Sequence, residues 1–420
     1  MSAGSPVQPR PPAPAGARVD WARVRADFPL LRRTVHGKPL VYLDSANTGQ
    51  KPAPVIEAVD AFYRRHNANV SRAVHALGTE ATEAYEAART ALAGLVNVRG
   101  DELVLCSGTT FAINLVAYSW ALPRLKAGDV ILVTRMEHHA NIVPWQLVAE
   151  RTGAVVRPVD PTPDGALDLD TLYRAMTPEV KLLAVTHVSN VLGTVNPVRE
   201  ICREARRRGI ATVVDGSQAV PHMTVDVAAI GCDFYAFTGH KMCGPTGTGA
   251  LWGRREHLQA MPPFLGGGEM IREVSFDGTV FNDPPHRFEA GTPNIAGFAG
   301  LRAAVDYLQG VGMDAIHARE AELLVHLTDA LDAAGGVRIL GRAPEKAAVS
   351  FLVDGAHAHD LATLLDLEGV AVRSGQHCAH PLLQFYGVAA TCRASVAFYN
   401  THEEIDAFVA ALQKVRRLLA

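Results

Sequence analysis

Helical and strand-like hydrophobic patterns alternate along most of the chain. Between residues 52 and 250, helical stretches such as PAPVIEAVDAFYRRH and TEATEAYEAARTALAGLV are separated by short runs rich in β-branched residues. Those runs are ELVLCS, VILVT, AVVRPV, LLAVTHVS and ATVVDG. Short strands that alternate with helices are typical of a mostly parallel sheet covered by helices on both faces. The pattern therefore predicts an α/β fold.

Both ends of the chain depart from this alternation. Residues 1–18 contain five prolines among small residues, a composition that predicts a disordered tail. WARVRADFPLL then predicts a short helix and HGKPLVYLDSA a strand. After Pro293, two helical patterns, the first of them NIAGFAGLRAAVDYLQGVG, precede the strand-like runs VRIL, AAVSFLV and VAVRS and the closing helix EEIDAFVAALQKVRRLL. This part of the chain predicts a smaller α+β domain.

The changes in pattern divide the chain into four parts. We expect a disordered, proline-rich tail at residues 1–18 and an N-terminal segment at 19–35 that packs with the small domain. The large domain is expected at residues 36–295 and the small C-terminal domain at 296–420.

Composition narrows the possible classes of protein. The 40 Lys and Arg residues against 43 Asp and Glu leave a net charge of −3, too balanced for a nucleic-acid-binding surface. Neither a long apolar run nor the apolar core of a secretory signal is present, so we expect no membrane span and a cytoplasmic location. The six cysteines form no CxxC pair, which predicts reduced thiols and no zinc site.

Lysine is rare, and one lysine has unusual neighbours. Only seven of the 40 basic residues are lysines, and Lys241 lies in FTGHKMCGPTG among apolar, hydroxyl and glycine residues. A partly desolvated lysine has a lowered pKa and can form a Schiff base. The other six lysines have charged or polar neighbours, and we expect them to be solvated. Lys241 is therefore the candidate reactive amine.

Polar residues follow several predicted strands, at the sheet edge where ligands of parallel α/β folds bind. Residues 107–110 (SGTT) follow ELVLC and open a helix that could bind phosphate, although such residues are often simple N-caps. Asp215 follows ATVV, His138 follows VILVT and Asn190 follows LLAVTHV. Pyridoxal phosphate needs a helix end for its phosphate, a carboxylate for its ring nitrogen and an amine for its aldehyde. The combination with Lys241 predicts that cofactor.

A second candidate site contains a cysteine. Cys378 lies in RSGQHCAHP, which we expect to be a loop after strand VAV, with His377 beside it and an arginine nearby. These neighbours favour the nucleophilic thiolate, although a cysteine beside a histidine is often incidental. Arg393, in TCRASVAFY before an apolar strand, suits a substrate α-carboxylate. His377 and His380 lack further ligands, so no metal is expected.

Ordered motifs resemble those of a known family. They are LDSAN, SGTT, EHHANIVPWQ, VSNVLGT, DGSQAVPH, FTGHKMCGPTGTG, EAGTPN, RSGQHCAHPLL and CRASVAFYNTHEEID, between about Val24 and the C-terminus. The chain resembles the SufS/CsdA-type (group II) cysteine desulfurases, which are class-V aminotransferase-like, fold-type I pyridoxal-phosphate enzymes. The resemblance implies a large domain with a mostly parallel seven-stranded sheet and a smaller α+β C-terminal domain.

The resemblance also implies a role for each matching position. Lys241 forms the Schiff base, Asp215 pairs with the pyridine nitrogen and His138 stacks on the ring. The remaining cofactor contacts are Gln218 and Asn190 at the ring hydroxyl, Thr109, Thr110, Thr238 and His240 at the phosphate, and Thr292 of the partner subunit in a homodimer. Cys378 forms the persulfide, Arg393 binds the substrate carboxylate with help from Asn190, and Arg373 orients the loop.

The implied reaction converts L-cysteine to L-alanine and passes sulfur to a SufE- or SufU-like acceptor, for iron-sulfur cluster or other sulfur-compound biosynthesis. Two positions depart from the family pattern and leave the acceptor open. Ser71 stands where many relatives have His, and Gln376 precedes His377 where SufS-like sequences read His-His-Cys. The second departure resembles the CsdA-like variety.

Other functions remain alternatives at this level. Selenocysteine lyase and cysteine sulfinate desulfinase use the same cofactor and similar motifs. Cys378 argues against kynureninase- or aminotransferase-like chemistry, which needs no nucleophilic thiol. A protein of another class would be a sulfur-assembly scaffold or compartment cargo that binds through its proline-rich tail.

Overall fold

The computed structural model describes residues 19–71, 74–343 and 347–419; the predicted disordered tail lies outside the described residues. The α-helices are α1 (Trp21–Ala26), α2 (Ala53–Ala61), α3 (Ala76–Leu95), α4 (Thr109–Leu115), α5 (Val143–Thr152), α6 (Leu169–Ala175), α7 (Val198–Arg207), α8 (Val227–Ile230), α9 (Arg255–Ala260), α10 (Ile295–Val311), α11 (Met313–Ala333), α12 (Ala358–Leu367), α13 (His380–Phe385) and α14 (His402–Leu419). The strands are β1 (Thr34–Val35), β2 (Lys38–Pro39), β3 (Val41–Tyr42), β4 (Leu103–Cys106), β5 (Val130–Thr134), β6 (Val155–Val159), β7 (Val180–Thr186), β8 (Ala211–Asp215), β9 (Phe234–Thr238), β10 (Gly249–Gly253), β11 (Ile271–Ser275), β12 (Gly278–Phe281), β13 (Val337–Leu340), β14 (Val349–Val353), β15 (Val370–Ala371), β16 (Arg373–Gly375) and β17 (Thr391–Ala394).

A seven-stranded sheet organises the larger part of the molecule. Its strand order is β4-β10-β9-β8-β7-β5-β6, and only β10 runs antiparallel to its neighbours. The mostly parallel α/β architecture predicted from the alternation of helices and strands is confirmed. The central strands β5, β8 and β9 are buried along nearly their whole length, as expected for a sheet with both faces covered.

Successive residues of a strand in this sheet contribute to two different hydrophobic cores. Leu103 and Leu105 belong to one buried cluster with residues of α3 and α10, whereas Val104 belongs to a second cluster with residues of α4 and α5. This follows from the two-residue period of a strand, which points neighbouring side chains to opposite faces. Uninterrupted apolar runs such as VILVT are therefore explained by burial on both faces.

The C-terminal part contains a separate antiparallel sheet. Its strand order is β13-β14-β17-β16, and its core is packed between α11, α12 and α14. The N-terminal segment joins this part, since β3 pairs in parallel with β15 through Val41 and Val370. The division of the chain into domains at residues 36–295 and 296–420 stays a prediction.

Three runs of sequence form strands that differ from the patterns used above. FYAFT forms β9 and GALWG forms β10, neither of which the alternation of long helices and strands had singled out. The run VAVRS forms two short strands, β15 and β16, so Arg373 lies in a strand and the loop begins after Gly375. No helix of the described residues is long and apolar enough to cross a membrane.

Candidate active site

A cavity of about 270 Å³ lies at the carboxyl ends of the sheet strands. It is lined by twelve of the thirteen residues predicted for the site, namely Thr109, Thr110, His138, Asn190, Asp215, Gln218, Thr238, His240, Lys241, Arg373, Cys378 and Arg393. The thirteenth, Thr292, is exposed outside this cavity, where its hydroxyl accepts a hydrogen bond from Asn69 at 3.4 Å. The fold thus brings residues that are far apart in the sequence together around one cavity.

Lys241 lies in the short 3₁₀ turn Gly239–Lys241 that follows β9. Burial lowers its pKa to about 8, against the opposing attraction of Asp215. The backbone of this turn packs closely, since a Cβ added to Gly49 would lie 2.6 Å from the carbonyl oxygen of Lys241. A fraction of Lys241 therefore carries the neutral, nucleophilic amine near pH 7.

Asp215 is the last residue of β8 and is buried. Its Oδ1 accepts hydrogen bonds from the Ser217 backbone N–H at 2.9 Å and the Ser217 hydroxyl at 2.6 Å. The Ser217 and Thr109 hydroxyls lie 2.7 Å apart, which joins the carboxylate to the start of α4. Gln218 donates from Nε2 to the Ala46 carbonyl at 2.6 Å.

The start of α4 has the form of an anion site. Gly108 at its N-cap has φ +147°, and an added Cβ there would lie 3.3 Å from the Thr238 hydroxyl, so a side chain is disfavoured. Thr110 is exposed toward the cavity, and His240 is partly buried beside Thr48, with 3.3 Å between Nδ1 and the hydroxyl. Burial lowers the pKa of His240 to about 4, helped by the charges of Lys241 and Lys51.

His138 follows β5 and is held by its own turn. Its Nδ1 accepts the Ala140 backbone N–H at 3.0 Å, so the neutral ring carries its proton on Nε2. Burial lowers its pKa to about 4, and the charge of Lys241 adds to the effect. At neutral pH the imidazole is uncharged, which suits a ring that stacks on an aromatic cofactor.

Cys378 is partly buried in the loop between β16 and α13. The backbones of His377 and Cys378 have φ of +52° and +55°, in the left-handed region. Asn190 holds the loop by donating from Nδ2 to the His377 carbonyl at 2.7 Å. Burial lowers the pKa of His377 to about 3, and its Nε2 is bonded to the Thr391 hydroxyl at 2.8 Å, so the ring carries no positive charge beside the thiol at neutral pH.

Arg393 lies within β17 and not, as expected from the sequence, before an apolar strand. It is fully buried, and it donates to the Asn190 carbonyl at 2.7 Å and to Asp44 at 3.1 Å. Its Nε has no hydrogen-bond partner among the described residues. Burial lowers its pKa to about 10, so the guanidinium is charged and able to bind a carboxylate.

Lys51 was missed by the sequence analysis. The expectation that all lysines other than Lys241 are solvated is wrong for it, because its side chain is partly buried and its Nζ donates to the carbonyls of Gly49 (2.5 Å) and His240 (3.0 Å). Burial lowers its pKa. The Gly49 backbone N–H also donates to the His240 carbonyl, at 3.1 Å. Lys51 and Gly49 thus anchor the peptide bond that precedes Lys241. No local pattern distinguishes Lys51, since its contacts are made across the fold.

The donor set fits pyridoxal phosphate. A partly neutral amine, a buried carboxylate and a helix start bearing hydroxyls face one cavity, which are the three groups that this cofactor needs. The three lie at the ends of β9, β8 and β4, so the sheet sets their spacing.

Comparison with known proteins agrees with this geometry. The model of the family "Aminotransferase class-V" matches residues 41–408. The chain belongs to this family. It is 75% identical over 401 residues to a "Probable cysteine desulfurase" of Xylella fastidiosa (strain 9a5c), covering 95% of this chain and 96% of that protein. It is 50% identical over 399 residues to a "Cysteine desulfurase" of Cronobacter sakazakii, covering 94% of this chain and 98% of that protein.

A solved structure of the same kind is also similar. The cysteine desulfurase CsdA of Escherichia coli, in an S-sulfonic acid form, superposes with a TM-score of 0.89 at 42% identity, over 96% of this chain and 100% of that chain. The predictions of a SufS/CsdA-type family, a fold-type I architecture and pyridoxal phosphate as cofactor are confirmed.

Proposed function

We propose that the chain is a cysteine desulfurase, which converts L-cysteine to L-alanine and retains the sulfur as a persulfide on Cys378. The observation that carries the proposal is that Lys241, Arg393 and Cys378 line the same cavity. An amine for the cofactor, a cation for the substrate and a thiol for its sulfur are the three groups that this reaction requires. The names of the curated relatives agree with it.

The cofactor-binding roles are those that the family motifs imply, and they are supported by the position of twelve of the residues around one cavity. Lys241 holds the aldehyde, Asp215 keeps the pyridine nitrogen protonated and His138 stacks on the ring. Gln218 and Asn190 lie at the ring hydroxyl, and Thr109, Thr110, Thr238 and His240 bind the phosphate together with Thr292 of the partner subunit. Once bound, the cofactor withdraws electrons from the substrate Cα.

The substrate carboxylate is assigned to Arg393, whose Nε is buried without a partner in the described chain. Asn190 supports this arrangement through its backbone and its side chain. Its backbone carbonyl accepts a hydrogen bond from Arg393, and its side-chain amide donates to the His377 carbonyl. Arg373, on β16, pairs across the sheet with Arg393 and lines the cavity beside Cys378. Carboxylate binding is thereby linked to the position of the nucleophile.

Sulfur transfer then follows from proton movements and one displacement. Once the substrate amine has replaced it at the aldehyde, the free amine of Lys241 removes the Cα proton, and Lys241 and His138 serve as the proton carriers of the site. The Cys378 thiolate attacks the substrate sulfur; the S–S bond forms as the C–S bond breaks, and the electron pair stays on carbon, which takes up a proton. The balance is L-cysteine plus Cys378 thiol to L-alanine plus Cys378 persulfide.

The persulfide sulfur passes to the thiol of an acceptor, which we assign to a SufE- or SufU-like protein that docks over the Cys378 loop. Support comes from the partial exposure of Cys378 and the exposure of Gln376 two residues before it.

We further assign a homodimer and a cytoplasmic location. The hairpin of β11 and β12 supports the dimer because it exposes Val274, Phe276 and Val280 to solvent.

Replacement of the nucleophile tests the function. Cys378→Ser is expected to retain the visible absorbance of bound cofactor but to form no persulfide and to lose alanine production about a thousandfold or more. Mass spectrometry detects the persulfide, and amino-acid analysis with reductant present measures alanine. Cys392→Ser is the matched control, because this buried thiol donates to the Ala358 carbonyl at 3.1 Å outside the cavity. Wild-type alanine production with persulfide formation in Cys378→Ser would overturn the assignment.

A further inference from the structure

One residue outside the cavity contacts the loop at Cys378 itself and again two residues further on. The backbone N–H of His139 donates to the Cys378 carbonyl at 2.7 Å. The imidazole Nε2 of His139 lies 3.1 Å from the backbone nitrogen of His380, which donates to it. His139 belongs to the short turn His139–Asn141 after β5, and the cavity is lined by its neighbours His138 and Ala140 but not by His139 itself. Its contacts are therefore with the nucleophile's loop and not with the reacting groups.

The loop has a backbone conformation that needs such contacts. His377 and Cys378 are consecutive non-glycine residues in the left-handed region, which costs about 1 kcal/mol or more for each. Three hydrogen bonds to the larger part of the molecule hold this segment: one from Asn190 to the His377 carbonyl, one from the His139 N–H to the Cys378 carbonyl, and one that the His139 ring accepts from the His380 N–H. Two of the three thus depend on one residue.

The imidazole contact requires one protonation state. A backbone N–H can only donate, so Nε2 of His139 must be an unprotonated acceptor, with the ring proton on Nδ1. An imidazolium ion carries protons on both nitrogens and can accept nothing. Protonation of His139 therefore removes the contact to His380 while leaving the backbone contact to Cys378 intact.

The surroundings of His139 favour the neutral ring. The His380 ring stacks on it at a centroid distance of 5.3 Å and an angle of 11°, and the His138 ring lies at 6.3 Å. Burial and the charge of His380 lower the pKa of His139 below its usual 6.5. Of the elements packed against the turn, α4 has no titratable side chain; those on α5 are Glu150 and Arg151, and that on β7 is Lys181.

We propose that His139 is a positioning residue for the persulfide-forming cysteine: its neutral ring holds the loop of residues 376–380 in place for attack, and protonation of the ring releases the loop. The inference rests on the proposed role of Cys378. Protonation in acid would let the loop move, whereas a fixed loop serves attack on the substrate.

Hydrogen exchange of the loop tests this without relying on turnover. In the holoenzyme, the protection of peptides spanning residues 374–386, corrected for intrinsic exchange, is expected to fall about tenfold between pH 7.5 and pH 5, the loss of roughly one hydrogen bond. His139→Gln places an amide acceptor near the position of Nε2 and does not titrate. Its loop is expected to be protected as in the wild type at pH 7.5 and to stay so at pH 5.

Two further variants separate the hydrogen bond from other effects of the ring. His139→Ala should show low protection of the loop at both pH values, with a lower rate of persulfide formation at unchanged KM, because Arg393 is untouched. His380→Asn removes the stacked ring but keeps the backbone N–H, and should keep the pH dependence of the wild type. The melting temperature of each variant checks that it is folded.

The outcomes are distinct. Equal protection of the wild-type loop at both pH values overturns the proposal, as does a parallel loss in His139→Gln or loss of the pH dependence in His380→Asn. Absence of a persulfide on wild-type Cys378 would instead overturn the proposed function, whatever the exchange data show. The two failures are therefore read from different measurements.

Discussion

At the residue scale, Arg393 shows how burial prepares a charged side chain to bind. Its guanidinium is fully buried, with one carboxylate, Asp44, at 3.1 Å and an unpartnered Nε within the described chain. A buried cation with spare donors binds an anion more strongly than a solvated cation does, because its guanidinium group has already lost its water when the protein folds. The α-carboxylate of the substrate supplies that anion.

Arg393→Lys tests this role. An ammonium group cannot reproduce the fixed fork of the guanidinium, so we expect the KM for cysteine to rise about 10- to 100-fold, with a smaller change in kcat. Steady-state alanine production measures both constants. Arg416→Lys is the control and should leave KM unchanged, since Arg416, in α14, donates to the Ala334 carbonyl outside the cavity. An unchanged KM in Arg393→Lys would contradict carboxylate binding there.

At the element scale, Glu137 connects the strand ends that support the site. Its Oε1 accepts the Thr186 backbone N–H of β7 at 2.8 Å and the Thr134 hydroxyl of β5 at 2.5 Å, and its Oε2 accepts from Asn141 at 2.6 Å. Asn141 in turn accepts from Trp145 of α5 at 3.1 Å. This network holds the turn that carries both His138 and His139.

The network predicts different costs for two substitutions. Glu137→Ala leaves three buried donors without their acceptor, and we expect it to lower the free energy of unfolding by about 3 kcal/mol. Burial raises the pKa of Glu137 to about 8, so the side chain is neutral at pH 7 and Glu137→Gln is nearly isosteric with it. The glutamine variant should lose far less. Urea denaturation at pH 7 measures both, and equal losses would show that a neutral group of the same shape cannot replace the carboxyl group in this network.

At the scale of the whole molecule, the site lies where the sheet edge meets the C-terminal part of the chain. Asn190 and His139 contact the Cys378 loop, and Asp44 contacts Arg393. The same packing buries imidazoles: the pKa falls to about 4 for His138, His187 and His240, and to about 3 for His377, with burial the main cause in each. The folded protein therefore keeps several histidines neutral that the unfolded chain would protonate.

Stability should consequently fall in mild acid. Between pH 6.5 and about 4 the unfolded chain binds up to about four more protons at these histidines than the folded protein does. Glu137 opposes this difference, because it keeps a proton in the folded state. The free energy of unfolding therefore rises with pH across this window. The urea midpoint of the holoenzyme should drop as pH falls from 7 to 5. His187→Gln should weaken that dependence, whereas the exposed control His317→Gln should not. A urea midpoint that does not change with pH would contradict the predicted loss of stability in mild acid.

The sequence by itself determined the class of fold and the chemical groups of the site. Apolar runs buried on both faces indicate a parallel sheet, and the residues after ATVV and around Lys241 can be read locally, because strand ends and glycine-rich turns are short-range features. Family motifs then supplied the roles that spacing alone left open.

Only the tertiary structure decided the protonation states and the contacts between distant segments. Lys51 is partly buried against the His240 carbonyl, His377 is neutral although it neighbours the nucleophile, and His139 reaches a loop far along the chain. None of these has a local signature. Burial and hydrogen bonding across the fold depend on which segments pack together, and hydrophobic periodicity specifies the faces that are buried but not the partners that cover them.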